Sequence, residues 1–372
     1  DQILADFDYT PSIRKDLIAL KDELVHGRVQ PLREQTSDRE IWDKALHPVL
    51  NKTWLELPWY LAETYFYRRV LEAVKYFQPG PWNGKDPYSL LKEGEFSDAS
   101  SVFSANYPLK QVRTKLEQFQ YACYQALWGN RGDLSNLNTF ETDMGAQSER
   151  IILDHSKDAF RILEKKSTKI AYFMDNAGKE LFFDLAFIDF LLISVLAISV
   201  TCYVKNQPFF VSDAMPKDVQ KSVELLVSSP KKEISKLGNR LKAFFRSGLL
   251  TLEAPPFFTS NLMYREMPNV LCEQVAAHDL TILKGDVNYR RLFGDRHWPP
   301  TTKVGEAAGY FPTSFLSLRT LKGELILGIS NKIIERINQE ADPHWLINGK
   351  RGMITFLDKT STLSIQHPKN NP

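Results

Sequence analysis

The chain has little cysteine, and none of it is spaced for a disulfide framework or a thiolate metal site. Cys123, Cys202 and Cys272 lie far apart in the 372 residues, and no Cys-x-x-Cys pair occurs. A disulfide-stapled fold and a cysteine zinc site are therefore excluded as starting hypotheses. Because free cysteines are typical of a reducing compartment, we expect a cytoplasmic location, with the nucleus as the alternative.

Several motifs of well-known enzyme classes are also missing. The seven histidines show neither His-x-His nor His-Glu-x-x-His spacing, which argues against a zinc hydrolase. No Gly-x-Gly-x-x-Gly or Gly-x4-Gly-Lys-Ser/Thr loop occurs, which counts against dinucleotide and P-loop binding. The Gly-x-Ser-x-Gly elbow of serine hydrolases is absent as well.

Neither charge nor hydropathy points to a polymer or a membrane as partner. The 47 basic and 45 acidic residues give a net charge of +2, so no basic footprint for nucleic acid is present. No apolar run reaches the ~18–20 residues that span a bilayer, and the richest stretch, 181–200, contains Asp184 and Asp189. We therefore predict no nucleic-acid partner and no membrane insertion, and we expect a monomer.

The pattern of apolar residues changes character near the middle of the chain. Helical periodicity dominates up to residue 165, and strand-like and helix-like runs alternate afterwards. This alternation predicts an α/β fold: a three-layer α/β/α, Rossmann-like, mostly parallel sheet with an N-terminal helical subdomain. We expect the subdomain over 1–165, the α/β/α domain over 166–358 and a frayed tail over 359–372. The predicted strands are 169–174, 199–204, 249–252, 280–283, 314–318 and 353–356, and the predicted helices include 13–24, 42–50, 61–77, 109–128, 154–164, 181–196, 217–227, 270–278 and 322–329.

Polar residues follow four of the apolar runs that we interpret as strands. Asp175 and Asn176 end the first, Asp213 ends PFFVSD, Lys284-Gly285-Asp286 ends the third, and Arg319 and Lys322 follow the fourth. If these strands are parallel neighbours, their carboxyl ends converge on one crevice, where ligands bind in open α/β sheets. Two carboxylates and an amide oxygen suit a hard divalent cation. Lys284, Arg319 and Lys322 are donors suited to a phosphate.

Each of these features also has a purely structural interpretation. A single Asp after a strand is often a helix N-cap, Lys-Gly-Asp is a common turn, and Arg319 and Lys322 fit a solvated helix face. Glu63 either forms a local salt bridge with Arg68 or Arg69 or reaches the crevice. Its aromatic surroundings are interpreted as helix packing: Trp54, Trp59, Tyr60, Tyr65, Phe66 and Tyr67.

Five ordered segments resemble one known family. They are LWGNRGDLS at 127–135, MDNAGKELFFDL, PFFVSD, LKGDVNYRRLFGDRHW and SLRTLK, and the likeness extends to PWYLAETYFYRR near the N-terminus. Together they resemble the damage-control phosphatases, especially the sugar-phosphate phosphatase branch that is also described as acidic-residue methyltransferases. The resemblance implies an α/β/α domain with an added helical part and metal-dependent phosphatase activity. It also implies a divalent metal cofactor (manganese, cobalt, nickel or magnesium) and small phosphorylated substrates such as fructose 1-phosphate and fructose 6-phosphate.

The resemblance assigns roles to individual residues. Asp175 and Asn176 match the family's metal-binding pair, and Asp213 matches its third ligand. Substrate contacts are implied for Asn130, Glu180, Lys284, Gly285, Asp286 and Asn288 and for the Arg-Thr-x-Lys motif formed by Arg319, Thr320 and Lys322.

Our mechanistic hypothesis is phosphomonoester hydrolysis at one divalent ion, with Lys284 and Lys322 neutralising phosphoryl charge. Asp286 is the candidate for a general base or for a residue that orients the catalytic groups, and Asn288 and Glu63 are candidates for sugar hydroxyl contacts. Asp175 as a covalent nucleophile is the alternative mechanism. The alternative function is S-adenosylmethionine-dependent methylation of protein glutamate side chains, although no Gly-rich loop follows the first strand. A non-catalytic binding role is the third hypothesis.

Overall fold

The computed structural model describes residues 2–106, 114–129, 148–165, 168–340 and 342–359. Its N-terminal part is helical, as the periodicity predicts. Helix α2 begins at Pro11 after Thr10, whose hydroxyl accepts a hydrogen bond from the Ile13 amide, and α6 begins with a Thr114–Glu117 capping box. The N-terminal helices are α1 (Gln2–Asp6), α2 (Pro11–His26), α3 (Arg39–Leu46), α4 (Trp59–Ala73), α5 (Ser89–Asn106) and α6 (Lys115–Trp128).

The rest of the described chain forms a seven-stranded sheet. The strands are β1 (Ile151–Asp154), β2 (Thr168–Phe173), β3 (Ala197–Tyr203), β4 (Leu250–Glu253), β5 (Leu280–Lys284), β6 (Ser314–Thr320) and β7 (Gly352–Leu357). Their order is β1-β7-β6-β5-β2-β3-β4. All neighbouring strands are parallel except β6 and β7. The predicted mostly parallel α/β sheet is confirmed.

Helices cover both faces of this sheet. Along β2, Ile170 and Tyr172 pack into the larger apolar cluster, whereas Ala171 and Phe173 pack into a second cluster on the opposite face. Burial on both faces explains why the strands read as nearly continuous apolar runs. The covering helices are α7 (Ser156–Lys165), α8 (Lys179–Ile193), α9 (Pro216–Val227), α10 (Lys232–Ser247), α11 (Asn269–Ala276), α12 (Gly285–Phe293), α13 (Val304–Ala308) and α14 (Asn331–Asn338).

Some predicted elements differ from the structure. The helix predicted over 322–329 is absent, because the Arg319 guanidinium binds the carbonyl oxygens of Gly323 and Leu325, which a helix would use internally. Gly328 also has φ +81°. The next helix is α14, capped by Ser330. Helix α4 ends at Ala73 rather than at 77. Strand β1 and helices α1, α5, α10, α12, α13 and α14 were not predicted.

The chain order reverses between β2 and β5. From β2 the chain moves to β3 and β4 on one side, and it returns to place β5 and β6 on the other side. The carboxyl ends of β2 and β5 therefore flank a topological switch point, where a crevice opens in doubly wound sheets. None of the described helices is both long and apolar enough to cross a membrane.

Candidate active site

A loop that follows β3 folds back onto the end of β2 and brings the three predicted metal ligands together. Asn176 and Asp213 form an isolated antiparallel β-bridge. The Ala214 amide donates to the Asp175 carbonyl at 2.8 Å, and the Ala177 amide donates to the Ser212 carbonyl at 2.7 Å. The prediction that Asp213 ends a strand is therefore wrong. Asp213 lies in a loop, ten residues after β3 ends at Tyr203. The convergence with Asp175 comes from this bridge.

The Asn176 side chain lies between two carboxylates. Its Nδ2 donates to Asp175 Oδ2 at 2.8 Å and to Glu180 Oε2 at 2.9 Å, and the Ser212 hydroxyl donates to its Oδ1 at 2.7 Å. A 180° rotation of the amide would exchange its nitrogen and oxygen and turn Oδ1 toward Asp175. The side chain is thus placed to offer an oxygen beside that carboxylate.

Glu180 connects this group to a buried lysine. Lys284 Nζ lies 2.7 Å from Glu180 Oε1 and 2.7 Å from Asp184 Oδ1, and the Tyr172 hydroxyl also donates to Asp184 at 2.7 Å. Burial favours the neutral amine, yet Asp184 and Glu180 raise the pKa of Lys284 above its ordinary value. Lys284 is therefore a charged, fully buried partner of the carboxylates rather than a wall of an open cleft.

A second buried lysine, Lys205, pairs with Asp213 at 3.1 Å between Nζ and Oδ2. Burial raises the pKa of Asp175 well above its ordinary range. The Glu180 and Asp213 carboxylates raise it further, while Lys205 and Lys284 oppose the rise. The contacts described so far link four buried carboxyl groups and two buried lysines into a cluster: Asp175, Glu180, Asp184, Asp213, Lys205 and Lys284. With every group ionised, its surplus of two negative charges equals the charge of one divalent cation.

The donor set suits a hard cation in composition. No group of three or more His, Cys, Asp or Glu side chains that could hold a metal ion occurs in the described ranges. The predicted set of Asp175, Asn176 and Asp213 is of another kind, with two carboxylates and one amide. Oxygen donors of this kind are the ligands that magnesium and manganese prefer. Together with the surplus negative charge, the residues fit a divalent cation.

Gly285 and Asp286 connect the cluster to an open cavity. Gly285, at φ +80°, approaches Asp175 so closely that a Cβ atom on it would lie 1.8 Å from Asp175 Oδ2. The next side chain, Asp286, accepts a hydrogen bond from Arg319 Nε at 2.7 Å and lines a cavity of about 380 Å³. The cavity therefore begins one residue away from the carboxylate cluster.

Charged side chains of both signs line this cavity: the basic residues Arg290, Arg296, Arg319 and Lys322 and the carboxylates Asp286, Asp295 and Glu324. Glu63 forms an ion pair with Arg290 at 2.7 Å, and Arg290 also pairs with Asp295 at 2.7 Å. Glu63 therefore reaches a residue of the crevice. The other interpretation, a local salt bridge with Arg68 or Arg69, is wrong. Strand β6 extends to Thr320, so Arg319 and Lys322 do not lie on a helix face either.

Two predicted substrate contacts have other positions. The Asn288 amide donates to the carbonyl oxygens of Lys284, Met174 and Phe173, and its Oδ1 accepts from the Tyr264 hydroxyl. Asn288 therefore joins the ends of β2 and β5, and its side-chain amide is engaged by these protein groups. Thr320 is 1% exposed within β6. Asn130 lies outside the described residues.

Sequence reasoning missed Lys205 and Trp59. Lys205 follows β3 by two residues, so the same strand-end rule would have identified it. Trp59 was interpreted as helix packing, but its side chain is 69% exposed and lines the cavity. Its position at the first residue of α4, outside the apolar stripe, was the available signal. Trp54, Tyr60 and Tyr65 are buried, as predicted.

Comparisons with known proteins indicate one family. Residues 11–337 match the model of the damage-control phosphatase ARMT1-like domain. The chain belongs to this family. Relatives include damage-control phosphatase ARMT1 of Mus musculus, 31% identical over 379 residues that cover 91% of this chain and 85% of the relative. Its Homo sapiens counterpart is 30% identical over 365 residues, covering 88% and 82%.

The fold of the family also occurs in a distant solved structure. A DUF89 family protein from Pyrococcus horikoshii superposes with a TM-score of 0.52 at 13% identity, covering 95% of this chain and 93% of its own. At this identity the likeness concerns the fold alone. It agrees with the seven-stranded, mostly parallel sheet described above.

Proposed function

We propose that this protein is a divalent-metal-dependent phosphatase that hydrolyses small phosphorylated metabolites, with fructose 1-phosphate and fructose 6-phosphate as the first substrates to test. The observation that carries the proposal is that a buried carboxylate cluster adjoins an open cavity. The cluster, with two surplus carboxylates, meets this cavity through Gly285 and Asp286, and the cavity lining includes three arginines and a lysine beside three carboxylates. Membership of a phosphatase family supports the same conclusion.

Asp175, Asn176 and Asp213 would hold the cation. A bound divalent ion supplies positive charge that stabilises the charge developing on a phosphoryl group and lowers the pKa of water. Manganese, cobalt, nickel and magnesium are the candidates. Glu180 and Lys284 would not touch the substrate; the Lys284 ammonium holds the Glu180 carboxylate, which lies against the Asn176 side chain. This second layer orients the ligands.

Arg319 and Asp286 form the boundary between the two sites. The guanidinium of Arg319 is fully buried, stacks 4.2 Å from the Tyr289 ring centroid and holds Asp286 in one orientation. Asp286 is therefore placed to accept a proton from an attacking water. Arg319 itself is occupied by Asp286 and by the backbone carbonyls of Gly323 and Leu325, so the proposal gives it no contact with substrate oxygens.

The cavity wall would bind the rest of the substrate. Lys322 and Arg296 lie on this wall, whereas the Arg290 guanidinium is held by Glu63 and Asp295. Charge-assisted hydrogen bonds from lysine and arginine are strong with phosphate. Trp59 offers an exposed indole face on the same wall, which can cover a sugar ring. Asp175 is a ligand rather than a nucleophile in this proposal; Asn176 and Gly285 lie against its Oδ2.

The test is phosphate release from both fructose phosphates and from p-nitrophenyl phosphate, with and without each of the four metals. We expect metal-dependent turnover that Asp175→Asn abolishes. Glu233→Gln, which changes an exposed carboxylate of α10, should leave it unchanged. Full metal-dependent turnover by Asp175→Asn would refute the proposal. Methyl transfer from S-adenosylmethionine to protein carboxylates without phosphate release would favour the methyltransferase alternative.

A further inference from the structure

One buried lysine of the helical N-terminal part reaches across to the predicted metal ligand Asp213. Lys92, on α5, is 3% exposed, and its Nζ donates to the Asp213 main-chain carbonyl at 2.8 Å. The same ammonium lies 3.1 Å from Asp218 Oδ2 and 3.1 Å from Asp86 Oδ2. One cation therefore holds three oxygens from three separate segments, and its contact with Asp213 joins residues 121 positions apart.

The partners of Lys92 are themselves fixed. Asp218 accepts a hydrogen bond from the Met215 amide at 2.9 Å, which caps the start of α9 immediately after the ligand loop. Asp86 accepts from the Tyr88 amide at 2.9 Å and pairs with Lys217 at 3.2 Å. The ammonium is thus held at one point from both sides. Its position cannot adjust easily if the Asp213 backbone moves.

The loop before Asp213 needs such support, because its backbone is strained. Phe210 has φ +43° and Val211 has φ +63°, a region that is unfavourable for residues with a side chain and especially for a β-branched one. The Phe210 ring packs against α4, with centroids 5.1 Å from Tyr67 and 6.2 Å from Tyr60. Contacts from the helical part therefore hold the loop on both sides of the strained residues.

We propose that Lys92 is a positioning residue that fixes the Asp213 main chain, so that its carboxylate meets Asp175 and Asn176 around one cation. The inference rests on the proposed metal-dependent function and extends it. The helical N-terminal part then belongs to the active site, because its α5 holds a ligand of the α/β domain in place. Lys92 acts through Asp213 and does not touch the substrate.

A simpler role for Lys92 would be to balance the charges of Asp86 and Asp218. The two roles are separable, because Asp86→Asn removes one carboxylate and leaves the contact between Lys92 and Asp213 intact. Lys92→Met/Asp86→Asn then removes the ammonium together with one negative charge. The two variants differ only at Lys92. Lys92→Arg is the further variant. It keeps the buried positive charge, but the planar guanidinium of arginine cannot take the position that the compact lysine ammonium has among the three oxygens.

The experiment measures Mn²⁺ affinity of the full chain by calorimetry, with melting temperatures of all variants. We expect Lys92→Met/Asp86→Asn to bind Mn²⁺ about 10- to 100-fold more weakly than Asp86→Asn, the range typical of residues that orient metal ligands. Lys92→Arg should also lose affinity although the charge is kept.

Equal affinity of Asp86→Asn and the double variant would overturn the inference and leave the proposed function standing, as would wild-type affinity in Lys92→Arg. A wild-type protein that binds no Mn²⁺, Co²⁺, Ni²⁺ or Mg²⁺ would overturn both. If the double variant does not fold, Lys92→Arg decides the question alone. Phosphate release measured at saturating Mn²⁺ provides a separate readout: the positioning role predicts that added metal restores part of the lost activity.

Discussion

Gly285 lies against the carboxylate of Asp175 so closely that no other residue fits there. A Cβ atom at position 285 would be 1.8 Å from Asp175 Oδ2 and 2.2 Å from its Cγ. The backbone at Gly285 also has φ +80°, which glycine adopts without strain. This contact joins the ends of β2 and β5 at the switch point of the sheet, and it explains why α12, which follows β5 directly, begins with glycine.

The Gly285→Ala variant should therefore lose activity. The new methyl group must displace the Asp175 carboxylate, and a shift of about 1 Å at a catalytic group can reduce turnover by about 100-fold. We expect that loss in kcat/KM, together with weaker metal binding. Gly294→Ala is the matched control, because Gly294 has φ +81° but no atom within 4 Å of its added Cβ. It should lose about 1 kcal/mol of unfolding free energy through backbone strain alone and keep its kcat.

Trp59 should contribute to substrate affinity rather than to chemistry. Replacing it with alanine removes the exposed indole from the cavity wall, and we expect KM for hexose phosphates to rise about 2- to 10-fold with kcat nearly unchanged. Leu55 is 94% exposed and does not line the cavity, so Leu55→Ala is the control for loss of a surface apolar side chain. An unchanged KM in Trp59→Ala would place the substrate elsewhere.

Replacement of Arg319 by lysine should reduce both stability and activity. Its guanidinium binds Asp286, Gly323 and Leu325 at once, and an ammonium cannot reproduce this fork. Arg319→Lys should lower the unfolding free energy by about 2 kcal/mol, since buried groups lose charge-assisted partners. It should also lower kcat by releasing Asp286. Arg296→Lys, at an exposed arginine of the same cavity, should change stability by less than about 0.5 kcal/mol. Urea unfolding and steady-state kinetics measure both effects.

The ion pair of Asp38 and Arg68 should make stability fall in acid. Burial opposes ionisation of Asp38, but hydrogen bonds from Arg68, Thr36 and Trp42 outweigh it and hold its pKa below the ordinary value. A lowered pKa means that this stabilisation is present above about pH 4, the unfolded-state pKa, and is lost as pH falls through the folded-state value. Asp38→Asn should cost about 3–5 kcal/mol at pH 7, because Arg68 stays buried without its counter-charge.

The difference between Asp38→Asn and wild type should shrink below about pH 4, as urea unfolding at a series of pH values would show. Asp43, whose side chain is 46% exposed and pairs with Arg39, provides the control. Asp43→Asn should cost at most about 0.5 kcal/mol at any of these pH values. A difference between wild type and Asp38→Asn that stays constant down to pH 2 would contradict the assigned ion pair.

The sequence was sufficient for features that depend on local pattern. Apolar runs in the sequence predicted strands β2 to β7. Strands that are buried on both faces are nearly continuous runs of apolar residues, which are easily recognised in a sequence. Strand-end positions identified Asp175, Asn176 and Lys284. The failure over 322–329 has a tertiary cause, since Arg319 takes the carbonyls that the helix would need.

Contacts between distant segments could not be predicted. Glu63 and Arg290 are 227 residues apart in the sequence, and Lys92 and Asp213 are 121 residues apart. No local sequence pattern predicts either pair. The antiparallel bridge between Asn176 and Asp213 depends on a loop with two strained residues, which sequence propensities disfavour. These long-range contacts are what turn the predicted residues into one site.

Anomalous diffraction from crystals soaked in Mn²⁺ would test the central claim most directly. We predict one strong peak per chain, within coordinating distance of oxygen atoms of Asp175, Asn176 and Asp213. The peak should be absent from crystals of Asp213→Asn soaked in the same way. A wild-type crystal with no peak at these residues, or with its peak at another group of carboxylates, would contradict the account.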